Sequence, residues 1–259
     1  MIAVLVKELR TRMRGWRAPA VLTVYLAALG IVCYLVLRNN LSGGSFSQQQ
    51  ATKVGSTLFN TLAWLQLLLI VFITPATTAA AISGERQRQT LDLLLVTRLS
   101  SLGITVGKLL AAIAFDLLLI LCSLPIFALV FLFGGVEPGQ VARVFLLFLM
   151  LIFSFGSIGI LVSVLTRRAN SATVVSYVIV LILTLGLALA AGGNYIFGTG
   201  DGTLPVLGYF DPVFALMAVL PNTGYNFDSQ IWQVNILAAL ITSVICVALC
   251  ATLLRENRA

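Results

Sequence analysis

The 259-residue chain is 59% hydrophobic and only 10% charged, with a formal net charge of +7 and a mean hydropathy of +1.05. An ordinary soluble domain is about 25% charged and about 45–50% apolar; a water-soluble fold of the present composition lacks the polar groups to cover its surface, whereas lipid tails solvate an apolar exterior. The chain has no histidine, the usual general base near neutral pH and the commonest metal ligand, and no catalytic, metal-binding or cofactor-binding constellation is expected.

Residues 1–17 read as an amphipathic helix. At 3.6 residues per turn Ile2, Leu5, Val6, Leu9, Met13 and Trp16 gather on one face, with Lys7, Arg10, Arg14 and Arg17 in the adjoining sector. Such a helix lies in the membrane interface with its basic groups at headgroup level. The basic stretch is too long and amphipathic, and the apolar run behind it too long, for a cleavable signal peptide.

A bilayer core about 30 Å thick takes about 20 predominantly apolar helical residues, because every backbone polar group must be paired internally. Six stretches meet that length: 18–37, 58–82, 109–133, 144–165, 173–191 and 231–254. Residues 38–57, rich in Ser, Gly and Gln, are expected to form a flexible outer loop. Pro75 is expected to kink the second span near its inner end. The third span holds Pro125 and Asp116, the one carboxylate well inside an apolar run. An ionisable group there is a candidate intramembrane polar site; placement near the interface, or a polar partner on a neighbouring helix, are the structural readings of the same residue. In the fourth span Gly156, Gly159 and Ser163 fall on or near one face and permit close helix packing, within the chain or against a second copy.

Residues 192–230 form the last outer loop, with Asp201, Asp211 and Asp228 and no Lys or Arg. Asp211 is placed to N-cap a short apolar helix with Pro212 at its first position, broken near Pro221. Too short to span, this helix is expected to be re-entrant, dipping into the outer leaflet or packing across the mouth of the bundle. Cys33, Cys122, Cys246 and Cys250 all lie in apolar stretches without zinc-finger spacing and read as small buried apolar residues.

The 16 Lys and Arg divide thirteen to three between the two sets of loops. Lys7, Arg10, Arg12, Arg14, Arg17, Arg86, Arg88, Arg98, Lys108, Arg167, Arg168, Arg255 and Arg258 share one side, and Arg38, Lys53 and Arg143 the other. The positive-inside rule then puts both termini in the cytoplasm of a multi-pass protein of the cell (plasma or inner) membrane. The basic excess faces anionic headgroups and cytoplasmic partners, which accounts for the charge without nucleic acid.

The cytoplasmic loop 83–108 reads SGERQRQTLDLLLVTRLSSLGITVGK, mixing Glu85, Arg86, Arg88, Asp92 and Arg98 with a block of Leu91, Leu93, Leu94 and Leu95. A polar loop has no reason of its own to hold such a block. It reads as a short helix that docks onto a partner or onto the membrane surface. Ser100 or Ser101 is placed to cap the helix leading into the third span. The string from Gly103 to Leu109 is one residue short of a P-loop and lacks the hydroxyl residue that would hold magnesium, so ATP hydrolysis is not expected on this chain.

This stretch resembles the motif of type-2 ATP-binding-cassette (ABC) exporter permeases, a GER segment followed by a T-L-(D/E)-L-L-L block, a T-P-L-S-like turn and a G-K-L-L-A helix start. The match falls on Gly84, Glu85 and Arg86, on Thr90, Leu91, Asp92, Leu93, Leu94 and Leu95, on Thr97, Leu99 and Ser100, and on residues 107–111. It departs at Gln89, where the family often has Gly, and at Arg98, where it often has Pro. The family also has an interfacial N-terminal helix, six spans and a helical re-entrant element before the sixth. The resemblance implies a single transmembrane permease domain over residues 1–259 that pairs with a second permease chain, identical or related. Each chain would rest on a separate ATPase subunit. Residues 90–95 would be the coupling helix, with leucines supplying apolar contact and Glu85, Arg86 and Arg88 orienting the joint.

The alternative reading is a stand-alone secondary transporter or channel. Such proteins usually carry several intramembrane charges or broken helices at the midplane, and the leucine block would have no purpose in one. An intramembrane enzyme lacks the residues for the common hydrolytic constellations. Scattered Ser, Thr and Asn among apolar residues would suit a lipid-like, peptide or drug-like cargo.

Overall fold

The computed structural model describes residues 16–41, 47–87, 89, 101–166, 168–191, 206–221 and 230–256. Every regular element among them is helical: α1 (Arg17–Leu41), α2 (Gln48–Thr78), α3 (Ser83–Gln87), α4 (Ser101–Phe133), α5 (Pro138–Leu165), α6 (Ala169–Leu181), a π turn (Ile182–Gly186), a 3-10 turn (Val206–Phe210), α7 (Pro212–Val219) and α8 (Ile231–Glu256). Residues 1–15 of the expected interfacial helix lie outside the described residues, as do Arg88, residues 90–100 and residues 192–205 and 222–229.

Among the described residues six segments are long and apolar enough to cross a bilayer: Pro19–Asn40, Gln48–Gln87, Thr105–Phe133, Pro138–Leu165, Ala169–Ala191 and Ile231–Leu254. Number and order agree with the hydropathy of the sequence. On the outer side two helices, α2 and α5, begin earlier than the expected spans. α2 starts at Gln48, inside the stretch expected to be a flexible loop, because Ser47 and Gln50 cap it reciprocally: the Gln50 N–H donates to Ser47 Oγ (3.3 Å) and the Ser47 N–H to Gln50 Oε1 (3.2 Å). Val54, Gly55 and Ser56 are already buried. A Cβ on Gly55 would overlap the Gly134 carbonyl in the turn before α5, where Gly134 and Gly135 take φ of 75° and 83°, a conformation glycine adopts without steric cost. α5 likewise starts at Pro138, with proline at the first helical position and the Glu137 N–H donating to Gln140 Oε1 (3.1 Å).

α5 is the central helix: 67% of its most apolar stretch is buried, against 17% for the first span and 22% for the fifth and sixth. It packs against α8, α2, α6 and α4. Gly156 lies against Ile113 of α4 and Gly159 against Thr78 of α2, so the small residues of the fourth span serve packing inside the chain. The outward faces stay apolar, with Ile31, Leu185, Ile241 and Val244 all exposed, a surface that lipid solvates and water does not.

Pro75 lies within α2. It has no N–H and loosens the carbonyls of the preceding turn. The Tyr177 hydroxyl of α6 donates to one of them, Phe72 O (2.7 Å), which ties the fifth span to the second there. After α2 the chain turns over residues 79–82 and re-forms as α3.

α7 begins as its sequence indicates, with the Val213 N–H donating to Asp211 Oδ1 (2.9 Å) and Pro212 in the first turn. Its apolar side chains Phe214, Leu216 and Val219 are buried against α8 and α5. Just beyond it Pro221 O accepts from Asn60 Nδ2 of α2 (2.8 Å), fastening the short helix to the second span.

Candidate functional site

The Gly84-Glu85-Arg86 stretch forms a polar node where α2, α4 and α5 meet at one end of the bundle. Ser163 Oγ of α5 accepts from the backbone N–H groups of both Ile82 and Ser83 (2.9 Å each), and its hydroxyl donates to Ser83 Oγ (3.2 Å). Arg86 Nη1 donates to Val164 O (3.1 Å) and Thr166 O (3.4 Å), carbonyls at the α5 terminus that have no partner along their own helix. From the opposite side, Lys108 of α4 places Nζ 2.6 Å from Glu85 Oε1 and donates to Ala81 O (3.0 Å). The Lys108 side chain is only 1% exposed, while Glu85 keeps 28% of its surface in reach of solvent. An ammonium so deeply buried is tolerated because it is both ion-paired and hydrogen-bonded.

Gln89, just past α3, takes φ of 57°, with its N–H on Arg86 O (3.1 Å). This left-handed conformation is uncommon for a residue with a Cβ. It is the position where the permease motif often has Gly, so the turn is kept although the residue departs.

A second polar group lies deeper in the bundle. Asp116 of α4 is 3% exposed and accepts from Thr77 Oγ1 of α2 at 3.1 and 3.3 Å. A small cleft of about 10 Å³ is lined by Asp116, Thr74, Gln66 and Tyr25 among aliphatic side chains. The Tyr25 hydroxyl of α1 donates to Gln66 Oε1 (2.6 Å), bridging first and second spans. Asp116 lies eight residues beyond Lys108, or about 12 Å along the helix at 1.5 Å per residue, so the cleft and the node are separate features.

At the other end of the bundle Asp211 is fully buried. Burial raises its carboxyl from the ordinary value of 3.8 to about 7, against the lowering effect of the Val213 N–H.

Of the residues that the permease motif marks as coupling, Glu85 and Arg86 stand in the node, while Arg88, Thr90, Leu91, Asp92, Leu93, Leu94 and Leu95 lie outside the described residues. Asp116 stands apart, paired to a polar group of the neighbouring helix. The sequence marks Lys108 as a basic charge at the head of the third span and as part of the G-K-L-L-A match, and Ser163 as a small residue; neither reading gives the contacts of the node. One signal was present for Lys108: at 100° per residue it shares a stripe of an otherwise apolar helix with Thr105, Asp116 and Ser123, all of them buried. Among the described residues no group of His, Cys, Asp or Glu is placed to hold a metal.

Fold and site together define a polytopic helical membrane protein with polar contacts among the described residues at the helix ends and in an interior cleft. Residues 24–252 match the family model described as ABC-2 family transporter protein. The match runs from within the first span to within the sixth and takes in the node and α7, and the chain belongs to this family of ABC-2 type transporter permeases. A comparison with individually characterised proteins finds no match.

Proposed function

We propose that the chain is the membrane-spanning permease subunit of an ABC exporter. It resides in the cell membrane with both termini in the cytoplasm, pairs with a second permease chain, and draws energy from a separate ATPase subunit. The family places it among transporter permeases. The observation that carries the finer reading is the polar node: the segment between the second and third spans springs from the turn that ends α2, a turn anchored to both α4 and α5. A loop serving only to connect two helices has no use for such anchoring.

In this reading residues 90–95 dock on the ATPase through Leu91, Leu93, Leu94 and Leu95, with Thr90, Asp92 and Arg88 at the rim. Apolar contact supplies the affinity and rim charges the register. Glu85 and Arg86, engaged with Lys108, Val164 and Thr166, support the segment from behind. Asp116 is the intramembrane polar site, facing a cleft between the first three spans. The basic N-terminal residues lie on the lipid surface, and α7 is the re-entrant helix of the outer leaflet.

Purification of the tagged chain in detergent from its native membrane tests the reading. A P-loop ATPase in stoichiometric amount is expected. A folded chain that purifies without one would favour the stand-alone transporter instead.

A further inference from the structure

We propose that the Glu85–Lys108 pair is the joint through which movement of residues 88–100 enters the bundle, a role that rests on reading this segment as the ATPase-docking one. The two feet of the segment are clasped to each other: Glu85 precedes it and Lys108 follows it, yet their charged atoms stand 2.6 Å apart. Lys108 also holds Ala81 O (3.0 Å), so one side chain of α4 grips the 79–87 turn at two points. From the other side Ser163 binds the N–H groups of Ile82 and Ser83, and Arg86 binds the carbonyls that end α5. A displacement of residues 88–100 therefore reaches a turn fixed to both α4 and α5. It cannot be taken up by hinging at 79–87, and it shifts the third and fourth spans together.

Stability alone does not account for the pair, because apolar side chains of similar volume hold a buried contact as well as an ion pair does. What the pair adds is a fixed distance and direction between two elements. A buried charge that loses its partner is penalised, which keeps the elements joined while they move. Glu85 and Lys108 are positioning residues in this account; neither touches nucleotide or cargo.

The neutral pair E85Q/K108M separates the joint from simple packing. The test uses the complex of the full chain with its co-purified ATPase and reads hydrogen exchange in α4 and α5 with and without ATP plus vanadate. Wild type is expected to show an ATP-dependent change in both helices. In E85Q/K108M the ATPase stays bound while the change in α4 falls about fivefold or more, the lower end of ordinary coupling between sites; K108R retains it. If E85Q/K108M does not accumulate, E85Q alone, which leaves Lys108 on Ala81 O, is expected to show the same loss. An undiminished ATP-dependent change in α4 of either variant overturns the joint while leaving the permease reading intact. A wild-type chain that purifies with no ATPase overturns the docking reading and the joint with it.

Discussion

Gly159 of α5 lies so close to Thr78 of α2 that a methyl group added at 159 would overlap the Thr78 hydroxyl and come within 3.0 Å of its Cβ. The second and fourth spans thus approach closely, with the Thr78 side chain filling the space that the glycine leaves. Gly159→Ala is expected to destabilise the bundle by about 1–3 kcal/mol through overpacking. Gly30→Ala on α1, where nothing lies within 4 Å, is expected to be neutral or to gain up to about 1 kcal/mol of helix propensity. Unfolding of the two variants in the same detergent checks the contrast.

Ser163→Ala removes the acceptor shared by two buried backbone N–H groups, those of Ile82 and Ser83. An unsatisfied buried donor costs about 1–3 kcal/mol, and the loss is local. Hydrogen exchange at residues 82–87 is expected to accelerate well before that of the α5 core. Unchanged protection of those amides would mean that the serine does not anchor the turn.

Gln89 occupies a glycine conformation. A left-handed residue with a Cβ costs roughly 1–2 kcal/mol, and a β-branched one more. Gln89→Gly is expected to leave stability unchanged or raise it slightly, since relief of strain is offset in part by the freedom glycine adds to the unfolded chain. Gln89→Val should lower stability, and comparison of the two melting temperatures checks the sign.

Asp211 carries a pH prediction. Its folded carboxyl titrates at about 7, above the ordinary 3.8, because burial disfavours the charge. A raised carboxyl stabilises the fold most when protonated. The contribution is full below the unfolded value and is lost as pH rises through about 7. α7 should therefore be better protected from hydrogen exchange at about pH 5 than at about pH 9. Asp211→Asn keeps a capping side chain and should flatten the difference.

The six spans were legible because lipid demands long apolar runs, and the start of α7 was legible in Asp211 and Pro212, a capping residue followed by a first-turn proline. The outer starts of α2 and α5 were not: hydropathy reports only the apolar part of a helix, whereas Gln48 and Pro138 begin polar turns set by Ser47, Gln50 and Gln140. The contacts of the site were harder still, because they join residues far apart in the chain. Thr77 and Asp116 are 39 positions apart and Tyr25 and Gln66 are 41; no local pattern announces such a pairing. Glu85 was found through the motif it belongs to. Its partner Lys108 belongs to the helix-start match at residues 107–111 and is one basic charge among thirteen, but neither reading indicates a buried ion pair, since a lysine at a helix head ordinarily reaches water or headgroups.

The central claim, that residues 90–95 seat the ATPase, is tested most directly by a double substitution, Leu93→Asp with Leu94→Asp, compared with wild type in a detergent pull-down from the native membrane. Two carboxylates in place of leucines would disrupt an apolar docking contact without touching any span. The account predicts that the variant inserts and purifies in normal amount with the ATPase gone. An ATPase that still co-purifies stoichiometrically with the variant would contradict it.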